Sequence, residues 1–145
     1  MLYDRWRQIA ETFRNEIALS DVASGRRWTF SNPANAAEQG SSPAEPLVFP
    51  QGNSPEFVLA VLRAWRDKKI VCPLEVGQVA PSLTEPPSGC IHLKLTSGST
   101  GLPRVVAFKA EQLAADAENI VHSMGLRREW PNIGVISLAH SYGFS

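Results

Sequence analysis

"LTSGSTGLPRVV", Leu95–Val106, is the stretch on which the reading of this chain turns. Two Gly, two Ser and two Thr stand nearly in a row between apolar flanks, and Pro103 and Arg104 close the run. A core strand does not use such residues, because Gly and Ser bury little side chain. A helix does not, because Gly and Pro oppose it. Gly98 and Gly101 permit backbone angles that other residues resist, and they let backbone N–H groups come close to a ligand. Thr96, Ser97, Ser99 and Thr100 add four hydroxyls. Arg104 adds a fixed positive charge and a forked donor. Loop amides, hydroxyls and one cation together make a phosphate cradle. The pattern is not the Walker A loop, which needs Gly-Lys-Ser/Thr where this chain has Pro103. It is not G-x-G-x-x-G either, since Gly98 and Gly101 stand three apart.

Around this stretch the apolar pattern alternates between helix and strand spacing. Cys90–Leu95 alternates and predicts a strand that runs directly into the Ser/Thr/Gly run. Leu113, Ala117, Ile120, Val121 and Met124 mark a helical face after it, with Gly125 placed to end the helix. Ile133–Leu138 predicts a further strand. Upstream, Leu47–Pro50 predicts a short buried strand. Ser54-Pro55-Glu56 opens a helix whose apolar face is Phe57, Val58, Val61, Leu62 and Trp65. "IVCPL" follows as the next strand, so this region reads as a parallel βαβ unit. Near the start, Leu2, Trp6, Ile9 and Phe13 predict a helix over about Tyr3 to Arg14, followed by two short strands around Ser24-Gly25. "SNPANAAEQGSSPAEP" is small, polar and rich in proline, and reads as mostly connector with a short helix near Ala36.

The fold class is therefore α/β, a sheet flanked by helices. The 145 residues make one ordinary domain length. The 14 basic and 14 acidic residues cancel, which argues against nucleic acid or an anionic membrane as a partner and makes any anion site local. Cys72 and Cys90 form no disulfide framework and no C-x-x-C metal spacing, so the chain reads as cytoplasmic and reduced. The opening residues are too charged for a secretory signal, and no apolar run approaches transmembrane length. His92 reads as structural, His122 as solvated, Arg127-Arg128 as a solvated turn, and Asp116 and Glu118 as a helix face rather than a catalytic pair. No metal ligand set is apparent.

The whole string at Thr96–Val106 resembles the signature T-S-G-[ST]-T-G-x-P-K-G-V of the adenylate-forming (AMP-binding) superfamily. That group includes acyl-CoA synthetases and nonribosomal peptide synthetase adenylation domains. Thr96, Ser97, Gly98, Ser99, Thr100, Gly101 and Pro103 match it; Arg104 replaces the usual Lys and Val105 the usual Gly. "NSPEFVLAVLRAWRDKKIVCPLE" is similar to the family's helix and strand before a Pro-Leu-acid. "HSYGFS" resembles a second motif, F-H-x-x-G, with His140 and Gly143 in place and Ala139 for the aromatic.

The resemblance covers nearly all of residues 1–145, as the N-terminal portion of the large domain, an incomplete unit. It implies a ligase that uses ATP and Mg²⁺ to turn a small carboxylic acid into an acyl-adenylate, then passes it to coenzyme A. By the same resemblance, Thr96, Ser97, Gly98, Ser99, Thr100, Gly101 and Arg104 would hold phosphates and His140 would line the acyl-adenylate site. The chain reads as the front of something longer, inactive alone without the missing C-terminal part of the enzyme. Two alternatives stay open: an amino-acid or aryl-acid adenylation domain, and a non-catalytic nucleotide-binding fragment.

Overall fold

The computed structural model describes residues 2–82, 86–96 and 104–140. The chain runs through α1 (Leu2–Thr12), β1 (Ile17–Ser20), β2 (Arg27–Thr29), α2 (Ser31–Gln39), β3 (Leu47–Val48) and α3 (Pro55–Arg66). It continues through β4 (Ile70–Val71), β5 (Cys90–Thr96), β6 (Arg104–Lys109) and α4 (Ala110–Ser123). β1 and β2 form an antiparallel pair. The main sheet has the order β3-β4-β5-β6. β3, β4 and β5 run parallel, and β6 returns antiparallel to β5. The predicted βαβ unit is thus β3-α3-β4. β5 and β6 pair as an antiparallel hairpin, with Thr96 directly opposite Arg104.

Alternation along the strands divides the core. Val48 and Val71 point to the side covered by α3, where they meet Phe57, Val61 and Ala64. Their neighbours Leu47, Phe49, Ile70 and Cys72 point to the other side, with Leu74, Leu93, Leu95 and Ala107. A register irregularity between Cys90 and His92 lets Cys90 share that side with Leu93. Phe57 is 2 % exposed and Leu93 1 %, so removing either side chain would open a cavity. A third cluster of Tyr3, Ala37 and Leu62 ties α1 and α2 to the back of α3. There the Tyr3 hydroxyl donates to the Glu38 carboxylate at 2.9 Å.

Several elements depart from the expectation. The connector after Phe30 is a nine-residue helix, α2, and not a stub near Ala36. Its small residues let it lie flat, with Pro33 and Ala37 buried. Arg63 and Arg66 of α3 donate to its last carbonyls, Arg63 to Ala36 O at 2.9 Å and Arg66 to Gly40 O at 2.9 Å. A Cβ at Gly40 would meet the Arg63 guanidinium, which would have to swing aside. The buried face of α1 is rotated to Tyr3 and Ala10, leaving Ile9 exposed. Ser54 does not cap the α3 amides with its side chain; its hydroxyl instead bonds the Glu56 carboxylate and holds its pKa down.

Arg128 is no merely solvated turn residue. It pairs with Glu16 at 2.6 Å and lies over the Phe13 ring at 3.8 Å. α4 starts where the Lys109 N–H donates to the Gln112 side chain, and Gly125 follows its end with φ +59°. Of the apolar face predicted for α4 only Leu113 is buried; Val121 and Met124 stay exposed. Ile133–Leu138 is not a strand. It pairs with no neighbouring strand, and Ile133 and Val135 face solvent. Among the described residues, no helix is long and apolar enough to cross a membrane.

Candidate functional site

Three parallel strands deliver their carboxyl ends to one edge of the sheet, the edge where open α/β sheets bind ligands. β5 is the longest of the three and reaches four residues past its pairing with β4, from His92 to Thr96. Its length comes from the apolar alternation around Leu93 and Leu95, which anchors the strand in the core while its end projects. Thr96 and Arg104 are exposed there. As directly opposed residues of an antiparallel pair, their side chains leave the same face of the hairpin. The Thr96 hydroxyl donates to the Arg104 carbonyl at 3.5 Å. A hydroxyl and a guanidinium therefore stand together, exposed, at this end of the hairpin. Ser97, Gly98, Ser99, Thr100 and Gly101, the remaining predicted phosphate contacts, lie outside the described residues.

His140 reaches the same edge from the other end of the chain. Asn53, just beyond β3, donates from its side-chain amide to the Ile136 carbonyl at 3.3 Å and accepts from the Leu138 N–H at 2.7 Å. The Ser137 hydroxyl donates to Glu75, beyond β4, at 2.8 Å. Leu138 packs on the α3-side cluster of Val48, Phe57 and Val71. The His140 N–H closes a turn onto the Ser137 carbonyl at 3.0 Å, and its side chain is exposed. Asn53 and Glu75 were not legible as anchors. Asn53 sits in a Gly-Asn-Ser-Pro turn whose composition explains itself locally, and its partners lie more than eighty residues away in sequence.

On β5, opposite Phe108, His92 is fully buried. Burial, aided by the charge of Lys94, pushes its pKa down to about 4, so it is neutral and structural as expected. Lys94 lies half-buried with its ammonium 5.3 Å from the Phe108 ring centre; burial lowers its pKa, against the opposing charge of Asp116. That contact turns Lys94 toward α4 and leaves Arg104 as the cation at the hairpin mouth. Cys72 and Cys90 are both free and buried. Glu118 pairs with Arg5 at 2.9 Å on the surface, consistent with a structural helix face. Among the described residues, no group of His, Cys, Asp or Glu side chains could hold a metal ion.

No family model and no curated protein matches the chain. Solved structures do. VinN superposes with a TM-score of 0.78 at 17% identity, over 99% of this chain and 52% of VinN. The o-succinylbenzoate CoA synthetase MenE from Bacillus subtilis, solved with the acyl-adenylate OSB-AMP, gives 0.74 at 14% identity, over 95% of this chain and 50% of MenE. The Klebsiella oxytoca NpsA N-terminal subdomain, bound to 3-hydroxyanthranilyl-AMSN, gives 0.69 at 15% identity, over 94% and 47%. The chain spans about half the length of these structures. With its parallel βαβ unit, its projecting hairpin and these superpositions, the chain has the fold of one part of an adenylate-forming enzyme.

Proposed function

We propose that this chain is the phosphate-binding front of an ATP-dependent acid–thiol ligase of the acyl-CoA synthetase type. One observation carries the reading: Thr96 and Arg104 stand opposed at the mouth of a hairpin on the carboxyl edge of a parallel sheet, flanking a run of the signature pattern. Thr96, Ser97, Gly98, Ser99, Thr100, Gly101 and Arg104 bind the β- and γ-phosphates of ATP. A small-molecule carboxylate attacks the α-phosphorus. The bond from the α-phosphorus to the bridging oxygen breaks, and pyrophosphate leaves with the electron pair. The leaving group concentrates negative charge, and preorganised hydroxyl, amide and guanidinium donors lower the barrier by meeting it there. The acyl-adenylate lies beside His140, and the thiol of coenzyme A then takes the acyl group and releases AMP. Mg²⁺ would neutralise phosphate charge. The C-terminal part of such an enzyme completes the site, and the chain acts in the cytoplasm, away from nucleic acid.

The test is binding of ATP and of pyrophosphate to the 145-residue chain and to Arg104→Ala, by calorimetry. Losing a charge-assisted bond to phosphate costs about 1.5–3 kcal/mol, or roughly ten- to a hundredfold in affinity. Equal affinity of the two chains would remove Arg104 from the phosphate site. A second reading, activation of an amino or aryl acid for a carrier protein, is favoured by the likeness to VinN, solved with L-aspartate, and to NpsA, solved with an aryl adenylate analogue. Exchange of pyrophosphate into ATP by the longer enzyme, driven by L-aspartate or 3-hydroxybenzoate and not by aliphatic acids, would establish it.

A further inference from the structure

The two faces of the β5–β6 hairpin carry different chemistry. Leu93, Leu95 and Ala107 pack into the apolar cluster on one side. The other face is set by the directly opposed pairs His92–Phe108, Lys94–Val106 and Thr96–Arg104. Side chains two residues apart on a strand leave the same face, as do side chains directly opposed across an antiparallel pair. Lys94 therefore stands on the face that carries Thr96 and Arg104, one step of about 7 Å back along β5. His92, fully buried, closes the face behind it.

A lysine is a costly choice for that step. The position is half-buried and its opposed neighbour is Val106, so an aliphatic side chain would fill it without desolvating a charge. The ammonium is folded back over the Phe108 ring, 5.3 Å from its centre, and Asp116 on α4 is the opposing charge that acts on it. The four-carbon stem is flexible and its ammonium is a compact point charge with three donors. Turned outward along the strand, the stem carries that charge toward the level of Thr96 and Arg104.

Given the proposed phosphate role of Arg104, on which this rests, we propose that Lys94 is the second cation of the phosphate site, held back by Asp116 and Phe108 until a polyphosphate arrives. Arg104 alone offers one fixed charge. Pyrophosphate and ATP carry several, spread along a chain of phosphoryl groups. Two cations in line, one at the end of the hairpin and one step behind it, suit such a chain better than a single phosphate. The ammonium leaves the single charge of Asp116 for a more concentrated anion, and the stronger attraction decides its position. Asp116 competes with the ligand for that ammonium and so sets the affinity.

Calorimetry of pyrophosphate and ATP binding to the full 145-residue chain and its variants tests it. Lys94→Met keeps an unbranched stem against Phe108 and should bind both ligands roughly tenfold more weakly. Lys94→Gln should lose as much, and Lys94→Arg, which restores the charge, should recover most of it. Asp116→Asn releases the ammonium and should strengthen binding about twofold or more. A merely structural role for the Lys94–Asp116 contact would not give the two removals opposite signs. Unchanged affinity in Lys94→Met beside a loss in Arg104→Ala overturns the proposal and leaves Arg104 its role. Equal or weaker binding in Asp116→Asn overturns it too. An unaltered chain without affinity for pyrophosphate removes the phosphate reading itself, and the second cation with it.

Discussion

His92 sets a pH limit on this fold whose size follows from where it sits. It is wholly enclosed on β5, opposite Phe108 on β6 and Val71 on β4. Lys94 is the charged group acting on it, and burial is the larger cause of its shift to about 4 from an ordinary 6.5. The sign follows from proton counting. Between those two values the unfolded chain carries a proton on His92 and the folded chain does not. The unfolded state thus binds more protons, and stability falls as pH falls. Across the full interval the loss is about 3 kcal/mol, with a slope of at most about 1.4 kcal/mol per pH unit. Against a domain stability of roughly 5–15 kcal/mol, that is a large share. Asp21, Glu56 and Asp67 have lowered pKa values, so their contribution starts to be lost only at the bottom of this window, as pH falls through the ordinary values of 4.5 for Glu and 3.8 for Asp, and it is common to the unaltered chain and His92→Leu. Urea unfolding of the unaltered chain and of His92→Leu, at steps from pH 7 to pH 4, separates the effect. The unaltered chain should lose stability progressively below pH 6.5 while His92→Leu stays nearly level. Parallel curves for the two proteins would refute the assignment to His92.

Phe57→Ala should destabilise the chain by about 3–5 kcal/mol in the same urea assay, because the ring is fully enclosed by Val48, Val61 and Val71. Neither cysteine should react with an aromatic disulfide reagent until the chain unfolds: both are buried, and burial holds the Cys72 thiol up at about 11. Gly40→Ala should swing the Arg63 guanidinium aside and destabilise by at most about 1 kcal/mol, the worth of its one bond to Ala36 O, visible as a slightly lower urea midpoint with unchanged slope. The 145-residue chain alone should show no carboxylate-dependent exchange of pyrophosphate into ATP; clear exchange would mean that this half is sufficient.

The parts of the fold that were legible are those whose reasons are local. Ser54-Pro55 opens α3, and the face of Phe57, Val61 and Leu62 is buried as its spacing predicts. Cys90–Leu95 alternates and is a strand, extended by one residue to Thr96. The parts that were not legible depend on partners distant in sequence. α2 hides in a segment whose Asn, Pro and Gly favour turns; it is helical because Ala37 finds a place against Tyr3 and Leu62 and because two arginines of α3 hold its carbonyls. The apolar run at Ile133–Leu138 has strand periodicity, but periodicity says only which side chains share a face. It does not say that a neighbour covers that face.

The same distinction applies to the candidate site. The residue types proposed for the Thr96–Arg104 run, glycines, hydroxyls and one guanidinium, are plain in the sequence itself. That the two described members, Thr96 and Arg104, face each other was not readable, because it follows from an antiparallel pairing that the Ser/Thr/Gly run only permits. A chain with 14 basic and 14 acidic residues has no long-range field to draw in a nucleotide. Under the proposed function, attraction for phosphate comes from donors held close together at one edge. The pairing supplies that closeness, and β5 and the βαβ unit behind it supply the rigidity. Moving Arg104 one position along β6 would send its side chain through the sheet to the opposite face. Exchanging Arg104 and Val105 should therefore abolish the phosphate affinity as fully as Arg104→Ala, although net charge and composition are unchanged. Retained affinity in the exchanged chain would mean that the charge acts through flexibility, and the opposed geometry of Thr96 and Arg104 would then have no part in binding.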